Sequence, residues 1–183
     1  MSDSWRPRAI PGVLQRTITF HPDERGSFGE LWRRSWTVDL GDAPHPSAMA
    51  QANLSRSQPG VLRGLHFHRR QADLWIVVDG RPFIALVDLR AAIDGTGPPV
   101  VETVAAVPGD AFYLPAGVAH GFYATDALTL VYLVTNEYDG SDELGFIWSD
   151  TEAAVPWPRQ DPILSPRDAT APSLAELLAQ LRR

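Results

Sequence analysis

The sequence predicts an all-β fold closed by a short C-terminal helix, on three observations. Sixteen prolines and fourteen glycines divide the 183 residues into apolar runs of strand length. In several of these runs side chains of different character alternate, as the period of two in an extended chain requires. The clearest helical signature, a capping box, comes near the end of the chain.

Taken in order, Val13-Leu14-Gln15-Arg16-Thr17-Ile18-Thr19-Phe20 is rich in β-branched residues and reads as a first strand. His21-Pro22-Asp23-Glu24-Arg25-Gly26 reads as a turn. Phe28, Leu31 and Trp32 open an apolar stretch that periodicity leaves as either strand or short helix. The segment 41–47, with Gly41, Pro44 and Pro46, is a breaker. From Met49 the chain reads as extended, and Gln51, Asn53, Ser55 and Ser57 share one parity, a polar strand face that suits a wet cavity. The runs 74–78 and 83–89 flank Asp79-Gly80, a dipeptide suited to a two-residue turn, so a tight hairpin is expected there. Further strands are expected at 100–107, 111–114 and 128–135. The last places Tyr132 on one face with Leu128, Leu130 and Val134, a phenol among aliphatic side chains. Ser173-Leu174-Ala175-Glu176 is the capping box, and Leu177, Leu178 and Leu181 supply the apolar stripe of the helix it starts.

Composition sets the broader limits. Hydrophobic residues at 44% and charged residues at 21% predict a folded chain, and nothing divides it, so residues 1–183 read as a single domain with its core at about 11–160 and a helical tail at about 165–183. A formal charge of −6 gives no bulk attraction to nucleic acid. No cysteine is present, which removes disulfides and thiolate metal sites and fits a reducing compartment. The start lacks the apolar core of a signal peptide, and the apolar runs fall short of a membrane span, so a soluble cytoplasmic protein is expected.

Histidines mark the candidate site. In Gly60-Val61-Leu62-Arg63-Gly64-Leu65-His66-Phe67-His68, strand alternation points His66 and His68 the same way, and Asp73 and Gly80 follow. Gly109, Pro115, Gly117 and His120 recur about fifty residues later. The two segments resemble the half-motifs of a cupin barrel, Gly-x5-His-x-His-x4-Asp-x6-Gly and Gly-x5-Pro-x-Gly-x2-His, which implies a double-stranded β-helix, or jelly roll. His66, His68, Asp73 and His120 would then form a set of three imidazoles and one carboxylate suited to one divalent transition metal. The bland alternatives are a plain turn at 115–117 and a solvated strand end at Asp73.

Longer words carry a second resemblance. Asp23-Glu24-Arg25-Gly26, Gln51-Ala52-Asn53, Ser55-Arg56-Ser57, the run 60–67, Val87-Asp88-Leu89-Arg90, Pro115-Ala116-Gly117-Val118-Ala119-His120-Gly121-Phe122 and Leu164-Ser165-Pro166-Arg167-Asp168 together resemble the dTDP-4-dehydrorhamnose 3,5-epimerase family, in order, from about residue 11 to 175. The resemblance implies a homodimeric cupin jelly roll without cofactor. Its members invert carbons beside the C4 ketone of a dTDP-linked 4-keto-6-deoxyhexose in deoxysugar biosynthesis. It also implies that His66 is the general base, Asp168 the carboxylate that orients it and Tyr132 the proton donor. Arg25, Glu30, Gln51, Asn53, Arg63, His120, Glu143 and Arg167 would contact the nucleotide, its diphosphate or the sugar, arginine being suited by the planar fork that grips phosphate oxygens in pairs. Arg63 has the opposite parity to His66, so both face one cavity only if the strand is bulged, with Gly64 the candidate.

Two departures stand out. The family usually has glutamine at the position of His68, and at Asp73 a lysine whose charge helps hold the enolate. Reversing one charge at about 4 Å in a medium of effective dielectric about 20 is worth on the order of 4 kcal/mol per unit charge before relaxation. The rival readings are therefore a metal-dependent cupin enzyme and a non-catalytic sugar-nucleotide binder.

Overall fold

The computed structural model describes residues 4–36 and 49–182. The breaker expected at 41–47 lies outside the described residues. Along the chain run β1 (Arg6–Pro7), β2 (Leu14–Thr17), β3 (His21–Asp23), β4 (Gly26–Phe28), β5 (Gln51–Ser57), β6 (Leu62–Phe67), β7 (Asp73–Asp79) and β8 (Pro82–Asp88), then α1 (Arg90–Ile93). There follow β9 (Val100–Ala105), β10 (Asp110–Leu114), β11 (Val118–Ala124), β12 (Leu128–Val134), β13 (Leu144–Gly145), α2 (Pro166–Ala169) and α3 (Leu174–Leu181). A six-stranded sheet has the order β1-β2-β10-β7-β12-β5, a five-stranded sheet the order β13-β6-β11-β8-β9, and β3-β4 form a separate ribbon. This is the all-β jelly roll that the sequence predicts.

The sheets pack face to face through alternate residues of each strand. Ile84 and Leu86 of β8 meet Trp75 and Val77 of β7, Phe112 of β10, Phe122 of β11 and Leu130 of β12 between the sheets. The intervening Ala85 and Val87 turn the other way, onto Leu174, Leu177, Leu178 and Leu181 of α3. Leu74 and Ile76 likewise face outward, under Ile18, Trp32 and Trp36. With both faces of these strands covered, their sequences are continuously apolar rather than alternating. Eight residues are too few for an isolated helix. The capping box between Ser173 and Glu176 and the four buried leucines therefore hold α3 in place.

The hairpin expected at Asp79-Gly80 is not formed. The strand before the dipeptide, β7, pairs with β10 and β12, while the strand after it, β8, pairs with β11 and β9. The turn therefore carries the chain from one sheet to the other. Gly80 does hold a left-handed φ of 84°, and a Cβ there would stand 2.3 Å from the Ala127 carbonyl oxygen. The dipeptide reports the backbone conformation; which sheet the next strand joins is decided by the inward residues of both runs. The turn expected at 21–26 widens into the β3–β4 ribbon, closed at Asp23 and Gly26. Beyond it, Leu31 and Trp32 have no regular structure and lead to a single 3₁₀ turn at 34–36.

Candidate active site

A pocket of about 400 Å³ opens between the sheets. From the six-stranded sheet come Gln51, Asn53 and Ser55 of β5, Asp73 and Trp75 of β7, and Leu130, Tyr132 and Val134 of β12. From the five-stranded sheet come Arg63 and His66 of β6 and His120 and Phe122 of β11. The polar parity of β5 and the phenol on the aliphatic face of β12 thus both belong to the cavity, and Tyr132 stands opposite Asn53 in the register of those strands.

A bulge settles the parity of Arg63 and His66. His66 pairs with His120 and Arg63 with Phe122, so three steps along β6 match two along β11. The extra residue lets both side chains reach the same cavity. Gly64 permits it with a φ of 119°, and a Cβ there would lie 2.7 Å from Gly121 Cα and 2.9 Å from the His120 carbonyl oxygen.

His66 Nε2 lies 2.8 Å from Asp168 Oδ1. Asp168 is buried at the start of α2, where Ser165 caps the helix by accepting the Asp168 backbone N–H at 3.0 Å and donates its hydroxyl to Asp168 Oδ2 at 2.8 Å. Burial pushes the Asp168 carboxyl up, but the bonds from His66 and Ser165 and the charge of Arg167 outweigh it and hold the group below its ordinary value. The carboxylate is thus kept charged and fixed on one ring nitrogen, leaving His66 Nδ1 as the ring's other nitrogen.

The wall beside His66 is built from His68, Asp73 and His120. Asp73 is no solvated strand end: it is 3% exposed, and accepts from Gln71 Nε2 at 2.8 Å and Trp75 Nε1 at 3.2 Å. His120, 5% exposed, donates from Nδ1 to the Val118 carbonyl at 3.0 Å, and Trp75 meets its ring edge-on. Burial drives the His120 imidazole down to about 4 against the pull of Asp73, so the ring is neutral at neutral pH. Ligand atoms of His68, Asp73 and His120 lie within 4.8 Å of one another. His66 is outside this group, its Nε2 taken by Asp168, which corrects the four-ligand arrangement expected from the cupin half-motifs.

Tyr132 is half-buried, and burial followed by the nearby Asp73 raises its phenol above the ordinary value. Around the opening, Arg63 donates to Ser57 Oγ at 3.1 Å, Gln51 to Asn53 Oδ1 at 2.8 Å, and Arg167 is paired with Glu143. Arg25 and Glu30 stand apart from this pocket. Arg25 is exposed on the ribbon and paired with Asp23; Glu30 pairs with Arg33 beside a second, smaller cavity. Four lining residues carry no signal of their own in the sequence: Gln71, Trp75, Tyr138 and Ser165. Ser165 was within reach, because Ser-Pro-x-Asp is an N-cap followed by proline in the first turn and an acid at its end.

The site can do acid–base chemistry: a partnered imidazole on one sheet faces a protonated phenol on the other, with guanidinium groups at the entrance. The family sequence model for dTDP-4-dehydrorhamnose 3,5-epimerase matches residues 7–176. A dTDP-4-dehydrorhamnose 3-epimerase of Streptomyces niveus is 38% identical over 175 residues, covering 93% of this chain and 84% of its own length. The dTDP-4-dehydrorhamnose 3,5-epimerase of Pseudomonas aeruginosa is 35% identical over 173 residues, 92% and 94% of the two chains. Among solved structures, a 4-keto-6-deoxy sugar epimerase from the novobiocin gene cluster of Streptomyces spheroides superposes with a TM-score of 0.84 at 36% identity, covering 100% of this chain and 92% of that one. A Legionella pneumophila epimerase in complex with dTDP-4-keto-L-rhamnose gives 0.81 at 31% identity, with 97% and 96% covered.

Proposed function

The chain belongs to the dTDP-4-dehydrorhamnose 3,5-epimerase family, and from that premise we propose that it is an epimerase of deoxysugar biosynthesis, inverting C3, C5 or both in a dTDP-linked 4-keto-6-deoxyhexose. The observation that carries the reading is the 2.8 Å bond between His66 Nε2 and the buried Asp168, in a pocket whose opposite sheet presents Tyr132. A C–H beside a ketone is weakly acidic, so its removal needs a base near neutrality held against it, and stabilisation of the enolate. His66 takes the proton at its second ring nitrogen while Asp168 fixes the tautomer. Inversion requires a proton returned from the opposite face, and Tyr132, on the facing sheet, is the donor. Side chains alone carry both transfers, so no cofactor takes part in them.

Arg63 and Arg167 at the pocket suit the diphosphate; Gln51, Asn53, His120 and Glu143 suit the sugar and base. Arg25 and Glu30 lie outside their own chain's pocket, so contact with the nucleotide would come from a second copy, in line with a homodimer. Among the described residues no helix is long and apolar enough to cross a membrane, and a cytoplasmic location fits the cysteine-free sequence. Turnover of dTDP-4-keto-6-deoxyhexoses in deuterium oxide tests the reading. Deuterium at C3 or C5 of an inverted product is expected, and the number of labelled carbons separates single from double epimerisation. Tight nucleotide-sugar binding with no label at either carbon in any such substrate favours a non-catalytic binder.

A further inference from the structure

The proton transfers proposed above make no use of three side chains that line the pocket, His68, Asp73 and His120. Both imidazoles are held the same way. His68 places Nδ1 2.8 Å from the Asp142 carbonyl oxygen, and His120 places Nδ1 3.0 Å from that of Val118. A carbonyl only accepts, so each Nδ1 carries the proton and Nε2 is the nitrogen each ring has left for a ligand. His120 Nε2 then faces Asp73 Oδ2 at 3.6 Å, too far for a hydrogen bond and with both atoms buried. Two electron-rich atoms side by side repel, and a cation between them reverses the sign of the contact. Asp73 is itself steadied by the neutral donors Gln71 and Trp75. Ring N–H groups tied to backbone carbonyls and a carboxylate fixed by hydrogen bonds are the outer supports that aim metal ligands.

We propose that His68, Asp73 and His120 bind one divalent transition-metal ion, such as zinc, iron, cobalt or manganese, with His66 left out of its coordination. Two imidazoles and one carboxylate suit these ions and leave coordination positions open to the pocket. Metal–ligand bonds of about 2.0–2.2 Å put neighbouring ligand atoms about 3–3.6 Å apart. The His120–Asp73 pair already has that separation; the widest gap among the three, within 4.8 Å, is left to His68, a half-buried side chain beyond the end of β6 that makes the closing movement. Because His66 is bonded to Asp168, base and metal no longer compete for one lone pair. The ion's role rests on the epimerase reading: beside the ketone it supplies the positive charge that the buried Asp73 carboxylate otherwise opposes. The nearest guanidinium groups are engaged elsewhere, Arg63 by Ser57 and Arg167 by Glu143.

The test titrates cobalt(II), then zinc(II), into the full chain, purified without an affinity tag and freed of metal by chelation, following heat and the visible cobalt spectrum with no sugar present. About one ion per chain is expected, with spectral bands of imidazole coordination. His68→Gln and Asp73→Asn should each weaken binding at least about tenfold, while His66→Gln leaves it unchanged. Thermal melting of each variant checks the fold, and His68→Gln, being half-buried, keeps the test decisive if Asp73→Asn does not fold. Wild-type affinity weaker than about 1 mM, or equal loss in His66→Gln, overturns the site. The two readings separate cleanly. Metal uptake without turnover of any dTDP-4-keto-6-deoxyhexose keeps the site and removes the epimerase, whereas full turnover by chelated protein that takes up no cobalt does the reverse.

Discussion

Arg63 and His66 sit three residues apart on β6 and line the same pocket, because their partners on β11, Phe122 and His120, are only two residues apart. The bulge that achieves this depends on Gly64, whose left-handed φ of 119° and close approach to Gly121 leave no room for a side chain. Gly64→Ala adds backbone strain and overpacking against main chain that cannot move aside. A loss of about 2–4 kcal/mol in urea unfolding is expected, together with impaired turnover in whatever remains folded. Stability within about 0.5 kcal/mol of wild type would show that the bulge does not need glycine.

His66→Ala should abolish exchange of substrate protons with deuterium oxide while nucleotide binding persists. Asp168→Asn keeps the size of the side chain but removes the charge that fixes the ring, and should slow exchange by about 10²–10⁴-fold. Wild-type exchange rates in His66→Ala sink the assignment of the base.

The same carboxylate links stability to pH. The Asp168 value in the fold lies below its ordinary 3.8, so the unfolded chain binds the proton more readily. The stabilisation is full above the ordinary value and is lost as pH falls through the lower, folded one. Acid titrations of stability followed by circular dichroism should therefore show a shallower loss below pH 4 in Asp168→Asn than in wild type. Superimposable acid limbs would mean that the carboxylate is not held in this way.

What the sequence reveals of this site is what lies within a single strand. The polar parity of Gln51, Asn53 and Ser55 and the phenol of Tyr132 among leucines follow from period-two alternation, which is local. The passage from β7 to β8 is not local: Asp79-Gly80 has the residues of a hairpin, and only packing on both faces of the two flanking runs sends them to different sheets. The bond between His66 and Asp168 spans 102 residues, so spacing alone could not pair them, and family resemblance was the only route. Arg25 and Glu30 show the limit of that route. The resemblance gives them a ligand, but strand pairing sets them on a ribbon away from their own chain's pocket.

Tyr113 offers a test of the packing between the strands. It is 1% exposed, its hydroxyl has no partner among the described residues, and burial alone raises its phenol above the ordinary value. An unsatisfied buried hydroxyl costs about 1–3 kcal/mol, so Tyr113→Phe should raise stability by about 1 kcal/mol in denaturant unfolding and leave turnover alone. A clear loss of stability would reveal a partner for the hydroxyl.

Tyr132 separates proton removal from inversion. Its phenol, raised by burial and by Asp73, stays protonated across the neutral range and so keeps the proton it must give. The residue projects from β12, on the sheet facing His66, and so reaches the side of the sugar opposite the base. In Tyr132→Phe the enolate still forms, but the proton it receives comes back from His66 on the original face. Substrate recovered from deuterium oxide should then carry label with its configuration retained, while inverted product falls by about 10²–10³-fold. The ring keeps its shape in this change and only the hydroxyl is lost, so folding stability should move little. Nuclear magnetic resonance of the recovered sugar reads label and configuration together. Inverted product at the wild-type rate would make Tyr132 a structural residue and require another acid on that face; loss of label as well as inversion would place it in proton abstraction instead.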